Sequence, residues 1–568
     1  MKRISASIMT PFWLVLWACA LALGWLLPNH YRPWTSFHLE AWVAVVLLLA
    51  AAAVLLRSRG SVGLHGITVL VALLIFVPWL QYAFDLIHQP GVAWISSAYL
   101  LGFLLALLIG AKWELHSAGQ FADGLFLAIG IAAVFSVGLQ LRQWLQLEGL
   151  ELWTMGGGRE RPHANLGQPN QLGTLLLWGV LAAAWGHVRK HMGGASAVLT
   201  AAYLLFGVAL TGSRTAWIGV ALIVGAAWLW RRRWEAAGFP WVVSALGLFF
   251  AVSVVAAGWL HNILSPGSPL DLDDFIRLSG ELRPLAWTAL LDAAWQRPWF
   301  GYGWNQVVLA QMAVTIGHPQ IAGFFLYSHN LFLDLALWCG IPLGLLVSVV
   351  LVGWLWRRIR AVQSAENAVM VLFILVVANH AMLELPLHYA YMLLPTGLMM
   401  GALHVRQGVS PVLNLGRWVL FLLWLPATVL LAIIIRDYSR VEASYQTLFL
   451  EWSRIKITIP VGPPDVLLLT EWRDVIKFAR MEPKPGVDVA ELAWMRNLTG
   501  LFPSGLNFHK LATVLALSEH PDEARLWLQR MCKTVSELEC RDAKTIWAKQ
   551  SLLHPEIAAI SWPVKNKD

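Results

Sequence analysis

Charge is what this chain has least of. Only 13% of its 568 residues are Asp, Glu, Lys or Arg, whereas 58% are hydrophobic, which excludes an ordinary water-soluble protein over most of its length. Cysteine is also scarce, at four residues. Cys19, Cys339, Cys532 and Cys540 are too few and too scattered for a disulfide-dense scaffold or a zinc spacing. No phosphate-binding glycine loop and no nucleophile elbow is present. The net charge of +8 is not gathered into a soluble basic stripe with interleaved aromatics, so no nucleic acid partner is expected.

Long apolar runs are abundant instead. They lie near 11–27, 40–56, 64–81, 94–111, 121–140, 171–187, 195–212, 216–230, 240–259, 340–356, 367–384, 389–404 and 417–435. That is the pattern of an all-α polytopic membrane protein with about 13 transmembrane helices. The 33 tryptophans fit interfacial belts. Leu16-Trp17-Ala18-Cys19 loosely resembles a lipoprotein cleavage box, but the bulky Trp17 and the apolar run to Leu27 argue for an uncleaved first span.

Basic residues in short loops set the orientation. Lys2, Arg3, Arg57, Arg59, Lys112, Arg189, Lys190, Arg231 to Arg233, Arg357, Arg358, Arg360 and Arg406 fall on one face only if the N-terminus is cytoplasmic. The opposite face then carries two long connections, 141–170 and 260–339, and the tail after Arg436. Residues 1–435 are expected to form a transmembrane catalytic domain and 436–568 a soluble helical one. Leu511-Ala512-x-x-Leu515-Ala516 followed by Pro521-Asp522-Glu523-Ala524-x-x-Trp527-Leu528 reads as a helical hairpin of repeat type, possible in a tetratricopeptide-like domain. Cys532 and Cys540 both lie in this tail, where an oxidising compartment allows a disulfide.

Four polar groups interrupt the apolar pattern on that opposite face. The first has the amides Asn165, Gln168, Asn170 and Gln171, with Arg159, Arg161 and His163 upstream. Amides desolvated beside a bilayer are costly without partners, and they pair with sugar hydroxyls without fixing a charge; the bland alternative is a capped loop starting the next helix at Pro169. The second is Thr211-Gly212-Ser213-Arg214-Thr215-Ala216. An arginine at membrane depth costs about 2.5–3.5 kcal/mol on insertion scales, which a phosphate bound bidentately offsets, unless it snorkels to lipid headgroups.

The third group is the connection 260–339, with Asp271, Asp273, Asp274, Arg277, Arg283 and Trp287, ending in Tyr327-Ser328-His329-Asn330. Its stretch 283–297 looks helical and suited to the membrane surface. A histidine titrates near neutral pH and suits general-base work. The aspartates lack the glycine and distal glutamate of a calcium loop, so no metal is expected. The fourth group is Asn379, His380, Glu384, Pro386, His388, Tyr389 and Tyr391, around the ends of two spans.

Together these segments resemble the O-antigen ligase superfamily. The resemblance lies in Ala164-Asn165-Leu166-Gly167-Gln168-Pro169-Asn170-Gln171, Ser213-Arg214-Thr215-Ala216, Arg283-x-x-x-Trp287 and Ser328-His329-Asn330. Arg297-Pro298-Trp299-Phe300-Gly301-Tyr302-Gly303, Asn330-Leu331-Phe332-Leu333 and Gly340-Ile341-Pro342-Leu343-Gly344 add to it. The likeness is greatest to the bacterial protein O-oligosaccharyltransferase branch, the PglL-type pilin glycosylation ligases, which Arg436-Asp437-Tyr438 also fits.

The resemblance implies a GT-C-type glycosyltransferase fold in the bacterial inner membrane, working at the periplasmic face without cofactor or metal. The implied donor is a lipid-linked oligosaccharide, a glycan on undecaprenyl pyrophosphate. The implied acceptor is a Ser or Thr hydroxyl of a protein such as pilin, and membrane lipids are further partners. It implies catalytic roles for His329, Arg214 and Arg283. Substrate contacts are expected from Gln168, Asn170, Gln171, Arg161, Asn165, Tyr327, Asn330, Glu384 and Tyr391. Competing readings are an O-antigen ligase acting on lipid A-core, a polymerase of the lipid-linked glycan, and a transporter or export component. A transporter shows midplane charges and interrupted helices in corresponding halves, which this chain does not. The topology predicts that Gly157→Cys and Ser265→Cys react with an impermeant thiol reagent in spheroplasts and Ser58→Cys does not; labelling of Ser58→Cys alone inverts it.

Overall fold

The computed structural model describes residues 7–147, 149, 151–154, 161–265, 282–455 and 462–563. Arg159, Asp271, Asp273, Asp274 and Arg277 lie outside the described residues. In chain order the helices begin with α1 (Pro11–Leu23), α2 (Phe37–Arg57), α3 (Gly66–Leu74), α4 (Val77–Ala83), α5 (Pro90–His116) and α6 (Gln120–Trp144). Next come α7 (Pro169–Val188), α8 (Gly194–Leu210), α9 (Arg214–Leu229) and α10 (Phe239–Leu264). They are followed by α11 (Leu282–Gln296), α12 (Val307–Val314), α13 (Leu331–Cys339), α14 (Ile341–Arg360), α15 (Ala365–Ala381) and α16 (Ala390–Arg406). The last are α17 (Arg417–Trp452), α18 (Thr470–Arg480), α19 (Val489–Leu501), α20 (Gly505–Leu517), α21 (Pro521–Thr534), α22 (Glu537–Ser551) and α23 (Pro555–Ala558).

The protein is an all-α polytopic membrane protein: among the described residues, eight helices are long and apolar enough to cross a membrane. Every apolar run expected from the sequence falls on a helix. Five of those helices are short, at 13 residues for α1, 16 for α9 and 17 for α8, α15 and α16. The run expected at 64–81 is divided into α3 and α4, with Pro78 in the first turn of α4, a position that tolerates a missing N–H. Ser58 is buried and its hydroxyl donates to Val54 O at 2.5 Å, so the neighbouring exposed Arg59 is the better reporter of that loop.

The chain divides into two compact units. The first comprises Met1–Leu74, Ala98–Leu278 and Val349–Ala432. At its centre is α7, which packs against α6, α8, α9 and α15. Of the eight long apolar segments α7 is the least hydrophobic and the most buried, at 78% of its window against 11% for α17. Amides and hydroxyls make it a poor lipid-facing helix, so the protein surrounds it. At one end of this unit Arg189 donates to both Asp123 carboxylate oxygens at 3.1 Å and to Glu366 at 3.0 Å. Arg406 pairs with Glu114 at 2.7 Å and with Glu366. Both guanidinium groups lie over Trp185. Charges in a low-dielectric setting persist when each finds a partner. Nearby in sequence, the strands β1 (Val62–Leu64) and β2 (Leu413–Leu415) pair antiparallel.

The second unit comprises Ile75–Ser97, Ser279–Ser348 and Ile433–Asp568. Its tail helices bury a core containing Phe478, Leu492, Met495, Phe508, Leu511, Trp527, Leu528 and Met531. Met312 of α12 belongs to the same core and Phe324 packs against it, so the tail and the 307–324 segment share one interior. The pattern at 511–528 is the helical hairpin of α20 and α21. Asp437 is fully buried and accepts from the backbone N–H groups of Leu467, Leu468 and Leu469 at 2.8, 2.6 and 3.3 Å, while Arg436 donates to its other oxygen at 2.6 Å. Those bonds explain the Arg436-Asp437-Tyr438 signature: the carboxylate folds the returning chain onto α17. Cys532 and Cys540 form a disulfide across the turn from α21 to α22.

Candidate functional site

In the first unit the polar residues gather around the first turn of α7. The segment 162–166 is buried although it is a loop, so its backbone groups need partners. Two amides of α6 supply them. Gln143 Oε1 accepts from His163 N at 3.1 Å and Ala164 N at 2.6 Å, and Gln140 Nε2 donates to Pro162 O at 3.3 Å and Gly207 O at 3.0 Å. Asn165 is fully buried, donating to Trp25 O and Leu27 O at 3.2 and 2.7 Å and bonding His30 at 3.0 Å. Burial holds the His163 imidazole below its ordinary range, against a hydrogen bond to Ala164 O that raises it, so burial favours its neutral form.

Gln168 is the N-cap of α7, its side chain accepting from Gln171 N at 2.7 Å, with Pro169 at the first helical position. Asn170 donates to Glu384 at 2.8 Å and accepts from Ser213 Oγ at 2.6 Å. Gln171 accepts from the Tyr391 hydroxyl at 2.5 Å, and Tyr391 stacks on Tyr389 at 5.3 Å. One turn further along α7, Thr174 bonds His380 at 2.7 Å. The amide-rich segment, the Ser213-Arg214 segment and the Asn379–Tyr391 segment thus form one network. Asn379 joins it by donating to Thr215 O at 2.9 Å.

Ser213 caps α9 by accepting from Ala216 N at 3.2 Å. Arg214 follows in the first helical position and is exposed. Arg161 Nε reaches Thr211 O at 3.2 Å. A cation at a helix N-terminus opposes the macrodipole, and among the described residues no carboxylate pairs with Arg214. The exposed guanidinium and the orphan N–H groups of α9 therefore both favour an anion. An apolar cavity of 360 Å³ lies towards the other end of α7, lined by residues such as Leu181, Ala197, Val220, Val243 and Leu372; none of the polar network lines it.

In the second unit the polar residues gather before α13. His329 is half-buried with φ +59°, a left-handed conformation that histidine adopts more readily than most residues but still at a cost. Its neighbours hold it there. Asn330 caps α13, accepting from Phe332 N and Leu333 N at 3.1 and 3.2 Å. Ser328 is fixed at both backbone groups: its N–H donates to buried Asp334 at 2.7 Å, and its carbonyl accepts from Trp287 Nε1 at 2.7 Å. Arg283 lies one turn before Trp287 on α11, half-buried, so the Arg-x-x-x-Trp spacing puts both on one face. Tyr327 is also half-buried.

The stretch leading to His329 is strapped down from two sides. Gln311 of α12 donates to Gly323 O at 2.9 Å and accepts from Phe325 N at 2.8 Å. The disulfide-closed turn of the tail accepts Ile321 N on Lys533 O at 3.1 Å and Gly323 N on Thr534 O at 2.8 Å. Behind α13 two glycines permit backbone contact: a Cβ on Gly301 would meet Leu337 O at 2.3 Å and one on Gly340 would meet Trp299 O at 2.2 Å. The Trp-Phe-Gly-Tyr-Gly and Gly-Ile-Pro segments are therefore the seat of α13. Among the described residues no group of three or more His, Cys, Asp or Glu could hold a metal ion.

Sequence reasoning overlooked Gln140, Gln143, Gln311 and Asp334. Gln311 and Asp334 are single polar residues in short apolar helices, and that isolation was the available signal, whereas Gln140 and Gln143 flank Arg142 at the polar end of α6 and do not stand out.

Comparison with known proteins covers all of these segments. Residues 162–185 match the family described as "Protein glycosylation ligase", 199–348 match "O-Antigen ligase", and 368–534 match "Virulence factor membrane-bound polymerase, C-terminal". The chain is 29% identical over 561 residues to the "General O-oligosaccharyltransferase" of Acinetobacter baylyi, covering 95% of this chain and 97% of that protein. It is 27% identical over 335 residues to the "ComP-specific O-oligosaccharyltransferase" of the same organism, covering 59% of this chain and 60% of that protein.

Trp287→Phe keeps a ring and removes the Nε1 donor to Ser328 O. A neutral hydrogen bond is worth about 0.5–1.5 kcal/mol, so amide exchange across 325–330 should quicken by about 2- to 12-fold, with α11 and α13 still protected. Unchanged exchange there would show that Trp287 does not hold the His329 turn.

Proposed function

We propose that this chain, which resembles the O-antigen ligase superfamily and is an enzyme of the glycosyltransferase type, transfers a glycan from undecaprenyl pyrophosphate to Ser or Thr hydroxyls of proteins such as pilin. The observation that carries this reading is the similarity over 95% of the chain to a protein named a general O-oligosaccharyltransferase. The enzyme works at the periplasmic face of the bacterial inner membrane, with its N-terminus in the cytoplasm and residues 436–568 as a periplasmic helical domain.

The chemistry is a displacement at the anomeric carbon. The acceptor oxygen forms a new bond to C1 as the bond from C1 to the pyrophosphate oxygen breaks. Undecaprenyl pyrophosphate leaves with the bonding electrons. His329 takes the acceptor proton, a step worth roughly 10²–10⁴ in rate. Arg214, aided by the N-terminus of α9, and Arg283 stabilise the charge growing on pyrophosphate. No metal enters this mechanism, because the arginines supply the positive charge. Attack opposite the leaving group inverts the anomeric centre.

The amides divide in role. Gln168 caps α7 and Asn165 anchors the loop, so both position the site. Asn170 acts through Ser213 and Glu384 and sets the start of the helix that bears Arg214. Gln171, Tyr391 and Arg161 meet the sugar, with Tyr327 and Asn330 beside the acceptor. The match of 199–348 to O-antigen ligase favours one alternative, transfer to lipid A-core.

The test is expression with a lipid-linked glycan and a candidate pilin, followed by detection of glycan on pilin and on lipid A-core. His329→Ala should lower transfer by at least roughly 100-fold while the protein stays inserted. Arg214→Lys and Arg283→Lys should impair transfer more than expression, because lysine keeps the charge and loses the planar fork. Near wild-type transfer by His329→Ala removes it from the mechanism. Glycan found on lipid A-core and absent from pilin makes the chain an O-antigen ligase.

A further inference from the structure

The exposed side of α11 is not uniform. Ala286, Ala289, Leu290, Ala293 and Ala294 are buried on one face. At about 100° per residue, Pro284, Leu291 and Trp295 fall within about 40° of one another on the other side, and Asp292 and Gln296 lie about 80° and 120° from Pro284, with the exposed Leu285 between them. Leu291 is 50% exposed and Trp295 71%. Beyond the helix Trp299 and Phe300 are 71% and 72% exposed. An apolar strip thus runs from the helix into the following turn, and beside it lie the exposed Thr288, Leu285, Asp292 and Gln296.

The turn that continues this strip is tied to the ends of two membrane-spanning segments. Ile341, the first residue of α14, donates its N–H to Pro298 O at 2.7 Å. Gln81 of α4, near the end of the apolar segment Gly66–Ala83, accepts from Trp304 N at 2.8 Å and donates to Trp338 O at 2.7 Å. Tyr302 N reaches Leu337 O of α13 at 2.7 Å. Residues 298–304 are therefore bonded to the ends of these two spans, and Tyr82 and Phe84 at the end of α4 are exposed as well. Aromatic residues gather at span ends because their amphipathic rings suit the headgroup region.

We infer that α11 lies in the plane of the membrane interface, with Leu291, Trp295, Trp299 and Phe300 inserted among lipid headgroups and upper acyl chains and Asp292 and Gln296 in water. The partner is the lipid surface itself. Arg283 and Trp287 ride on this helix, and Trp287 holds Ser328 beside His329, so the anchor sets the depth of both residues. That last consequence rests on the function proposed above, because a lipid-linked pyrophosphate lies at headgroup depth; the membrane contact itself does not.

The test uses the full chain in nanodiscs, with Cys19→Ala and Cys339→Ala as background and a nitroxide attached to single cysteines. Leu291→Cys, Trp295→Cys and Phe300→Cys should collide preferentially with oxygen, which partitions into lipid. Asp292→Cys and Gln296→Cys should collide preferentially with a water-soluble nickel chelate. Equal nickel access at all five positions overturns the inference, as does exclusion of both reagents from the first three, which would mean a protein partner or a second copy covers the strip. A second measurement reads glycan transfer. Trp295→Asp should reduce transfer at least tenfold with normal insertion, and Trp295→Phe should restore it. Lipid contact at the three labels with undiminished transfer by Trp295→Asp keeps the anchor and overturns its role in setting catalytic depth.

Discussion

Two hydrogen bonds made by one side-chain amide organise the first unit. Asn170 gives its N–H to Glu384 and receives the Ser213 hydroxyl, so three segments far apart in sequence meet at one residue. The constraint behind this is general. A polar group within a bilayer-spanning bundle has no water to fall back on, and an unsatisfied one costs several kcal/mol. A carboxylate such as Glu384 persists there only with donors, and α7 supplies one. Because α7 carries these polar partners, it cannot face lipid, and α6, α8, α9 and α15 close around it. The same rule operates at the other end of the bundle, where Arg189 and Arg406 share Glu366.

The second unit solves a different problem, which is to keep one histidine in a left-handed turn. The strain is met by four separate contacts, from Asp334, Trp287, the Asn330 cap and the strap on residues 321–325. The tail takes part directly, since the turn closed by Cys532 and Cys540 provides the carbonyls of that strap. In the proposed mechanism this rigidity has a purpose: a general base is useful only when its geometry is set before the substrate arrives. An arginine at the first turn of a helix is likewise unfavourable until an anion is bound, so in the proposed mechanism the stabilisation of Arg214 waits for substrate.

Much of the fold was legible because membrane helices announce themselves in one dimension. Each apolar run falls on helix, the one at 64–81 divided between α3 and α4, and the stretch 283–297 matches Leu282–Gln296 almost to its bounds. The polar clusters were legible because amides and arginines are conspicuous in apolar surroundings. What the sequence concealed was who satisfies whom. Gln168 and Asn165 look alike in a string of amides, but one caps a helix and the other anchors the chain after α1. Gln140 and Gln143, near the end of a span, carry the buried loop. The joint core of the tail with Met312 and Phe324 was also hidden, because a contact over nearly two hundred residues leaves no local periodicity.

The proposed reaction is direct displacement of pyrophosphate by an acceptor hydroxyl, with no glycosyl-enzyme intermediate. The most direct measurement is the anomeric configuration of the first sugar before and after transfer, read by NMR on a purified glycopeptide and on its lipid-linked donor of defined configuration. A single in-line displacement predicts inversion at C1. Retention of configuration would require two successive displacements and a covalent intermediate, and would contradict the role assigned to His329.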